Sequence, residues 1–170
     1  FWPKGTIFVS VVDPGVGTSR KACVAKTKDG YYVVTPDNGA LTHIALTSGI
    51  EEVREIDESI NRLKGKDNDR VAIFGGRDVF GYTAARLASG VITYEQVGPS
   101  YPVEDIQMFD LPEPVVEGNT VTGFMEIDDP NFGNLWTNIH MDYFEKLDIH
   151  HGDTIHACIS KNGEVLFDED

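Results

Sequence analysis

The sequence predicts an α/β N-terminal domain, a central sheet flanked by helices, followed by a small all-β C-terminal domain. Three observations point to it. Up to Val97, short runs rich in Val and Ile alternate with segments whose apolar residues recur at helical spacing. Between residues 98 and 118 fall Pro99, Pro102, Pro112 and Pro114, four of the chain's 8 prolines, which mark an extended stretch. Beyond it the apolar residues alternate as in strands. The expected organisation is therefore 1–97 as an α/β domain, 98–118 as a linker and 119–170 as a β-rich domain.

Element by element, Thr6 to Val12 is a continuous apolar and β-branched run, the pattern of a strand buried on both faces. It empties into the loop Asp13-Pro14-Gly15-Val16-Gly17. Ala22 to Ala25 and Tyr31 to Thr35 flank Lys28-Asp29-Gly30, and Asp-Gly between alternating segments predicts a hairpin. After the loop Thr35-Pro36-Asp37-Asn38-Gly39, residues Ala40, Leu41, Ile44, Ala45 and Leu46 predict a helix that stops at Gly49. Glu51 to Ile56 reads as a strand, Asn61 to Arg70 as a polar surface loop, and Val71 to Phe74 as a further strand. The loop Gly75-Gly76-Arg77-Asp78 follows. From Val79 the period changes, with Phe80, Thr83, Ala84, Leu87 and Ala88 on one helical face and Gly90 closing it. Past the linker, Thr120 to Ile127 predicts a strand, and 128–134 a loop. Asp142 is placed to cap a short helix ending near Leu147. Thr154 to Ile159 and Glu164 to Phe167 form a hairpin through Asn162-Gly163.

The balance of 14 Lys+Arg against 28 Asp+Glu in 170 residues gives a formal charge of −14. Such a chain repels polyanions, so nucleic acid is excluded as a partner. The longest apolar run, Ile7 to Val12, falls short of the ~18 residues a membrane span needs, so no membrane partner is expected either. Cys23 and Cys158 stand far apart within alternating segments, which suits buried, reduced thiols and a cytoplasmic location. The chain opens on an apolar segment with no initiating Met or basic leader, and closes on an acidic triplet after a strand. Both ends read as those of a piece of a longer domain.

Four loops combine Asp, Asn or Arg with glycine: VDPGVGTSR, PDNG, FGGRD and DDPNFGN. Singly, each is a turn with a capping residue. Together they furnish the glycines and charged groups of a small-molecule cleft. No phosphate-cradling GxxxxGK[ST] or GxGxxG opens a helix. His150 and His151 are adjacent and no CxxC or HxxxH occurs, so no metal site is expected. Without a GxSxG elbow, a serine nucleophile is also unsupported.

VVDPGVGTSR, PDNGALT, FGGRDVF and FGNLWTNI, in that order along the chain, resemble the S-adenosyl-L-methionine hydroxide adenosyltransferases, the family that also holds the fluorinase and chlorinase. Its members run longer at both ends. The resemblance implies in-line displacement at the ribose 5′ carbon of S-adenosylmethionine, with methionine leaving and no cofactor. Water or a halide is the nucleophile. It further implies homotrimers whose substrate sites lie between subunits.

In the hydroxide-using branch an Asp-Arg-His triad activates the water. Asp13 and Arg20 fall on its first two members. Where the family carries His-Gly-Arg-Asp this chain has Gly75-Gly76-Arg77-Asp78, so Gly75 takes the histidine's place. Its loss slows water activation, or it opens room for water or for another group such as His43. The halide-using branch also lacks the histidine but replaces the loop around Asp13, whereas DPGVG is kept here, which favours hydrolysis over a halide-dependent adenosyltransferase. A non-catalytic adenosine or S-adenosylmethionine binder is the rival from another class.

On the same resemblance Asp13 and Arg20 are catalytic, and Gly75, Gly76, Asp129, Phe132 and Asn134 bind substrate. Asp128 competes with Asp129 for the carboxylate beside the methionine ammonium. Trp136 and Asn138 are expected to pack and hydrogen-bond the second domain, and Arg77 and Asp78 to pair at a helix start.

Overall fold

The computed structural model describes residues 1–65 and 74–170. The chain divides into two compact units, Phe1–Asp110 and Leu111–Asp170.

Among the described residues the first unit is built on a five-stranded mixed sheet, ordered β1-β3-β2-β4-β5. Its strands are β1 (Ile7–Val9), β2 (Ala22–Thr27), β3 (Tyr32–Pro36), β4 (Ile50–Glu55) and β5 (Ser100–Tyr101). β1 runs parallel to β3 and every other neighbour is antiparallel. The predicted Lys28-Asp29-Gly30 hairpin is present, with Val24 opposite Val34. Side chains alternate across the sheet, so β2 feeds two cores. Ala22 and Val24 join Val34, Val79, Phe80, Ala84, Tyr94 and Val97 on one face. Cys23 and Ala25 join Val33, Leu41, Ile50, Val53 and Ile106 on the other. Burying a side chain such as Val24 or Val53, each 0% exposed, contributes about 1.5–3 kcal/mol.

Both predicted helices form. α1 (Thr42–Thr47) contributes Ile44 and Ala45 to the second core. The helical stretch after the FGGRD motif brings Val79, Phe80 and Ala84 to the first. It opens as a wide π turn, Gly76–Gly81, and continues as α3 (Tyr82–Ala88). Gly75-Gly76-Arg77-Asp78 is thus the start of a helix rather than a loop. Gly81 permits the wide turn, since a Cβ there would lie 3.2 Å from the Gly76 carbonyl oxygen.

Four further readings are corrected or bounded. The run Thr6 to Val12 is not one continuous buried strand: among the described residues only Ile7–Val9 pairs, with β3, and Val12 is 75% exposed. Asn61 is not part of a surface loop but the last residue of α2 (Glu58–Asn61), fully buried, donating its amide to the carbonyls of Gln96 and Val97 at 3.2 and 2.9 Å. The reading of 62–70 as loop and of Val71 to Phe74 as strand falls largely outside the described residues. In the proline-marked stretch, β5 pairs with β4, and the amides of Gln107 and Phe109 bond to Asp37 and Thr42.

The second unit holds three two-stranded antiparallel hairpins and a short helix. They are β6 (Val115–Glu117) with β7 (Thr120–Thr122), β8 (Met125–Asp129) with β9 (Asn134–Thr137), and β10 (Ala157–Lys161) with β11 (Glu164–Glu169). The predicted short helix is α4 (Met141–Phe144), set among the hairpins of a β-rich region. Its N-cap is His140, without a side-chain cap, and Asp142 lies in the first turn instead, where a carboxylate suits the helix dipole. The predicted Asn162-Gly163 turn is confirmed, with φ of 53° and 82° as a type I′ turn requires. The single strand expected over Thr120 to Ile127 is split at Gly123, where a Cβ would fall 2.3 Å from Asn138 Oδ1. Cys158 is exposed rather than buried, while Cys23 is buried as predicted. Among the described residues no helix is long and apolar enough to cross a membrane.

Candidate functional site

Asp13 follows β1, and the chain turns back from it within a few residues. The backbone amides of Val16 and Thr18 donate to the carbonyls of Asp13 and Gly15, at 3.3 and 3.0 Å. The Thr18 hydroxyl donates to Gly15 at 2.6 Å. That reversal brings Arg20 back onto Asp13. Arg20 Nε donates to both carboxylate oxygens at 3.0 Å and its Nη2 to Oδ2 at 2.5 Å. The pair is mostly shielded, with 17% of the Arg20 side chain and 9% of Asp13 exposed. The loop is close-packed at Gly15, where a Cβ would sit 3.3 Å from Arg20 Cγ and from Thr18 Oγ1.

Two neighbouring motifs brace the loop. From PDNG, Asn38 Nδ2 donates to the Val12 carbonyl at 3.0 Å, holding the residue just before Asp13. From FGGRDVF, the buried Phe80 ring lies under Arg20, with Cζ 5.4 Å from the ring centroid. Gly76 sits against the same strand end, since a Cβ there would be 3.8 Å from Val11 Cγ1. Gly75 has helical φ and ψ of −56° and −35°, and a Cβ at that position meets nothing within 4 Å. Asp13 and Arg20 are thus paired, and Gly76 lies against Val11, two residues before Asp13. His43 is an exposed residue of α1.

Among the described residues the pair leaves two hydrogen-bonding positions uncommitted. Asp13 Oδ1 accepts one bond where a carboxylate oxygen can accept two. Arg20 Nη1 donates to no group among the described residues, and Arg20 lines an open polar cleft of about 430 Å³ with Thr18, Lys21, Asp37 and Gln107. A water seated in the cleft would meet the Arg20 guanidinium, whose other edge is held by Asp13.

Arg77 and Asp78 pair as expected at the helix start, with Nε to Oδ1 at 2.6 Å and Nη2 to Oδ2 at 3.1 Å. The guanidinium holds the buried Asp78 carboxyl below its usual range. Asp37 reads from sequence as a turn residue but is a buried anchor. It is 3% exposed and accepts from the Tyr101 hydroxyl at 2.9 Å and the Gln107 amide at 2.8 Å. Burial raises the Tyr101 phenol, and the nearby Cys23 and Asp37 add to the effect. Lys21 Nζ lies 4.1 Å from the Tyr101 ring centroid. The sequence reads Asn38 as a loop residue and Phe80 as a helix core residue; their contacts with Val12 and Arg20 had no signal beyond the motifs that hold them.

In the second unit, Asp129, Phe132 and Asn134 belong to the β8–β9 hairpin. Asp129 is the cross-strand partner of Asn134, whereas Asp128 pairs with Leu135. Successive residues face opposite sides, so Asp129 and Asn134 share a face and Asp128 points away from it. Phe132, at the hairpin tip, is 80% exposed. Asn138 is buried and holds the Phe124 amide and the Pro112 carbonyl, as expected. Trp136 is 55% exposed and so does not pack as predicted. Among the described residues no group of three or more His, Cys, Asp or Glu side chains is arranged to hold a metal.

Comparison with known proteins bears on what this site does. Residues 1–98 match the family model of the SAM hydroxide adenosyltransferase N-terminal domain. The (R)-S-adenosyl-L-methionine hydrolase of Methanocaldococcus jannaschii is 36% identical over 137 residues, covering 81% of this chain and 44% of that protein. A fluorinase of Actinoplanes sp. is 27% identical, covering 99% of this chain and 62% of its own. An uncharacterized conserved protein from Thermotoga maritima, known from its crystal structure, superposes with a TM-score of 0.79 at 41% identity, over 91% of this chain and 56% of that one. The chain spans about half the length of the curated relatives it matches.

Proposed function

This chain belongs to the SAM hydroxide adenosyltransferase family, and on that premise we propose that it hydrolyses S-adenosyl-L-methionine to adenosine and L-methionine. The observation that carries the proposal is the shielded Asp13–Arg20 pair, whose arginine lines a polar cleft.

The chemistry needs little else. Water oxygen forms a bond to the ribose 5′ carbon while the carbon–sulfur bond breaks and its electron pair returns to sulfur. Methionine departs as a neutral thioether and needs no general acid. The burden falls on the nucleophile. Asp13 Oδ1 accepts the water's proton and passes it to solvent, and Arg20 orients that carboxylate and stabilises the developing hydroxide. Proton acceptance of this kind contributes ~10²–10⁴-fold. No cofactor or metal is drawn upon, because the sulfonium itself supplies the leaving group.

In the same reading the Gly75-Gly76 turn lines the reacting end of the substrate. Asp129 binds the methionine ammonium, and Asn134 and Phe132 bind the adenine. The shared face of Asp129 and Asn134 supports Asp129 over Asp128. The active form is a homotrimer in the cytoplasm, which a molar-mass measurement on the purified protein checks.

The test is to incubate the full chain with S-adenosylmethionine in halide-free buffer and follow the products by chromatography. Equimolar adenosine and methionine, lost in Asp13→Ala, is the expected result. Tight binding without turnover would replace the proposal with a non-catalytic binder, the reading that Gly75 in the triad histidine's place favours. Product formation only with chloride or fluoride would replace it with a halide-dependent adenosyltransferase.

A further inference from the structure

We propose that Phe80 is a positioning residue for this reaction: its ring holds the Arg20 guanidinium in the orientation that serves Asp13 and the attacking water together. The inference rests on the hydrolytic reading above, and Phe80 itself touches neither water nor substrate in it.

The three hydrogen bonds to Asp13 fix one edge of the guanidinium but leave its plane free to swing about the carboxylate. Two surfaces remove that freedom. On the loop side, the arginine stem passes Gly15 so closely that a Cβ there would be 3.3 Å from Arg20 Cγ. On the core side lies the Phe80 ring, 5.4 Å from Arg20 Cζ. The electron-rich face of an aromatic ring attracts a cation held over it, and the attraction strengthens where water is excluded. Phe80 is 1% exposed and 17% of the Arg20 side chain is exposed, so both are largely out of water.

The ring cannot itself drift. It is packed into the core with Ala22, Val24 and Val34, the central strands of the sheet. The wide π turn Gly76–Gly81 delivers it there. Such turns inside a helix recur at functional positions because they re-aim a side chain without ending the helix. The motif that carries Gly75 and Gly76 thus reaches the catalytic pair a second time, through the residue four positions after Gly76.

The experiment compares Phe80→Leu, pentafluorophenylalanine in place of Phe80, Arg20→Ala and the Phe80→Leu/Arg20→Ala double variant in the full chain. Readouts are kcat, KM, the thermal midpoint and the ¹⁵N-edited Nε–H signal of Arg20. Pentafluorophenylalanine keeps the ring's shape and reverses the charge of its face, so it remains informative if the leucine variant fails to fold. The expected result is a fall in kcat of ~10-fold in both Phe80 variants with KM within about twofold, a moved Arg20 Nε–H signal, and no further loss from Phe80→Leu once Arg20 is alanine. Full kcat with pentafluorophenylalanine, an unmoved Arg20 signal, or an equal loss in the Arg20→Ala background would overturn it. Should the wild-type chain bind S-adenosylmethionine without turning it over, the hydrolytic reading fails by itself, and the Arg20 signal still decides whether Phe80 fixes the guanidinium.

Discussion

Gly75→His restores the imidazole that the family pattern carries at the residue opening the π turn. The backbone already has helical φ and ψ, and a Cβ meets nothing within 4 Å, so no strain opposes the change. Replacing a glycine whose backbone conformation suits any residue stabilises by about 0.4–1 kcal/mol through the unfolded chain. For a chain of 170 residues that is a rise in Tm of about 1–4 °C. The neighbouring Gly76 lies against Val11, two residues before Asp13, so the substitution is made one residue from a position in contact with that segment. A general base is worth ~10²–10⁴-fold. Because Asp13 already offers a carboxylate, the gain in kcat is set at the low end, ~10²-fold. The assay is the release of adenosine across pH 5–9, alongside a thermal melt. A neutral imidazole is the active form, so the variant's rate should rise with pH through about 6.5, a limb the wild type lacks. An unchanged kcat with no new limb would refute the claim that the absent imidazole limits the reaction. A Tm lower by several degrees would refute the claim that the position is open.

Other outcomes follow from single contacts. Burial pushes the Cys23 thiol up to about 12, whereas Cys158 is exposed, so a thiol reagent at pH 8 should titrate only Cys158 in the native chain and both after denaturation. Tyr101→Phe removes a 2.9 Å donor from the buried Asp37 carboxylate and should cost about 1–3 kcal/mol, read as a lower urea midpoint at unchanged slope. Asp170 and Asp168 flank the two ring nitrogens of His156 at 2.7 and 2.6 Å and raise its pKa. Its contribution to stability is then fully present below about 6.5 and is lost as pH rises through the higher folded value. An NMR titration of His156 with a midpoint at or below 6.5 would contradict this.

What could be read from the sequence was whatever local spacing decides. The β2–β3 hairpin and the Asn162-Gly163 hairpin are written in turns of two or three residues, and α1 and α3 in apolar periodicity with a closing glycine. Asp13 and Arg20 were singled out by the family resemblance, and the short glycine-containing loop between them is what folds one onto the other. What depends on a distant partner was hidden. Thr6 to Val12 has the composition of a central strand, yet among the described residues only Ile7–Val9 pairs, with a strand more than twenty residues away. Gly123 splits a promising strand because Asn138 and Ile139 come close to it from elsewhere. Asp37 looks like one more turn aspartate, and nothing near it in sequence announces Tyr101 and Gln107. Phe80 was legible as a core residue of a helix, but its place under Arg20 requires the wide turn, which no periodicity encodes.

Asp37 also sets an order of events for a chain being synthesised. Its amide hydrogen-bonds to Lys21 early, but its carboxylate bonds to Tyr101 and Gln107, 64 and 70 residues further on. Until those residues have left the ribosome, the carboxylate stays hydrated, because burying it without donors costs more than the local packing returns. The β2–β3 hairpin and α1 can assemble on their own schedule, while the cover over that corner of the sheet waits for the segment after Pro99. The first unit therefore closes late and from its own C-terminal end, after a long-range search whose entropy must be met before its contacts reward it.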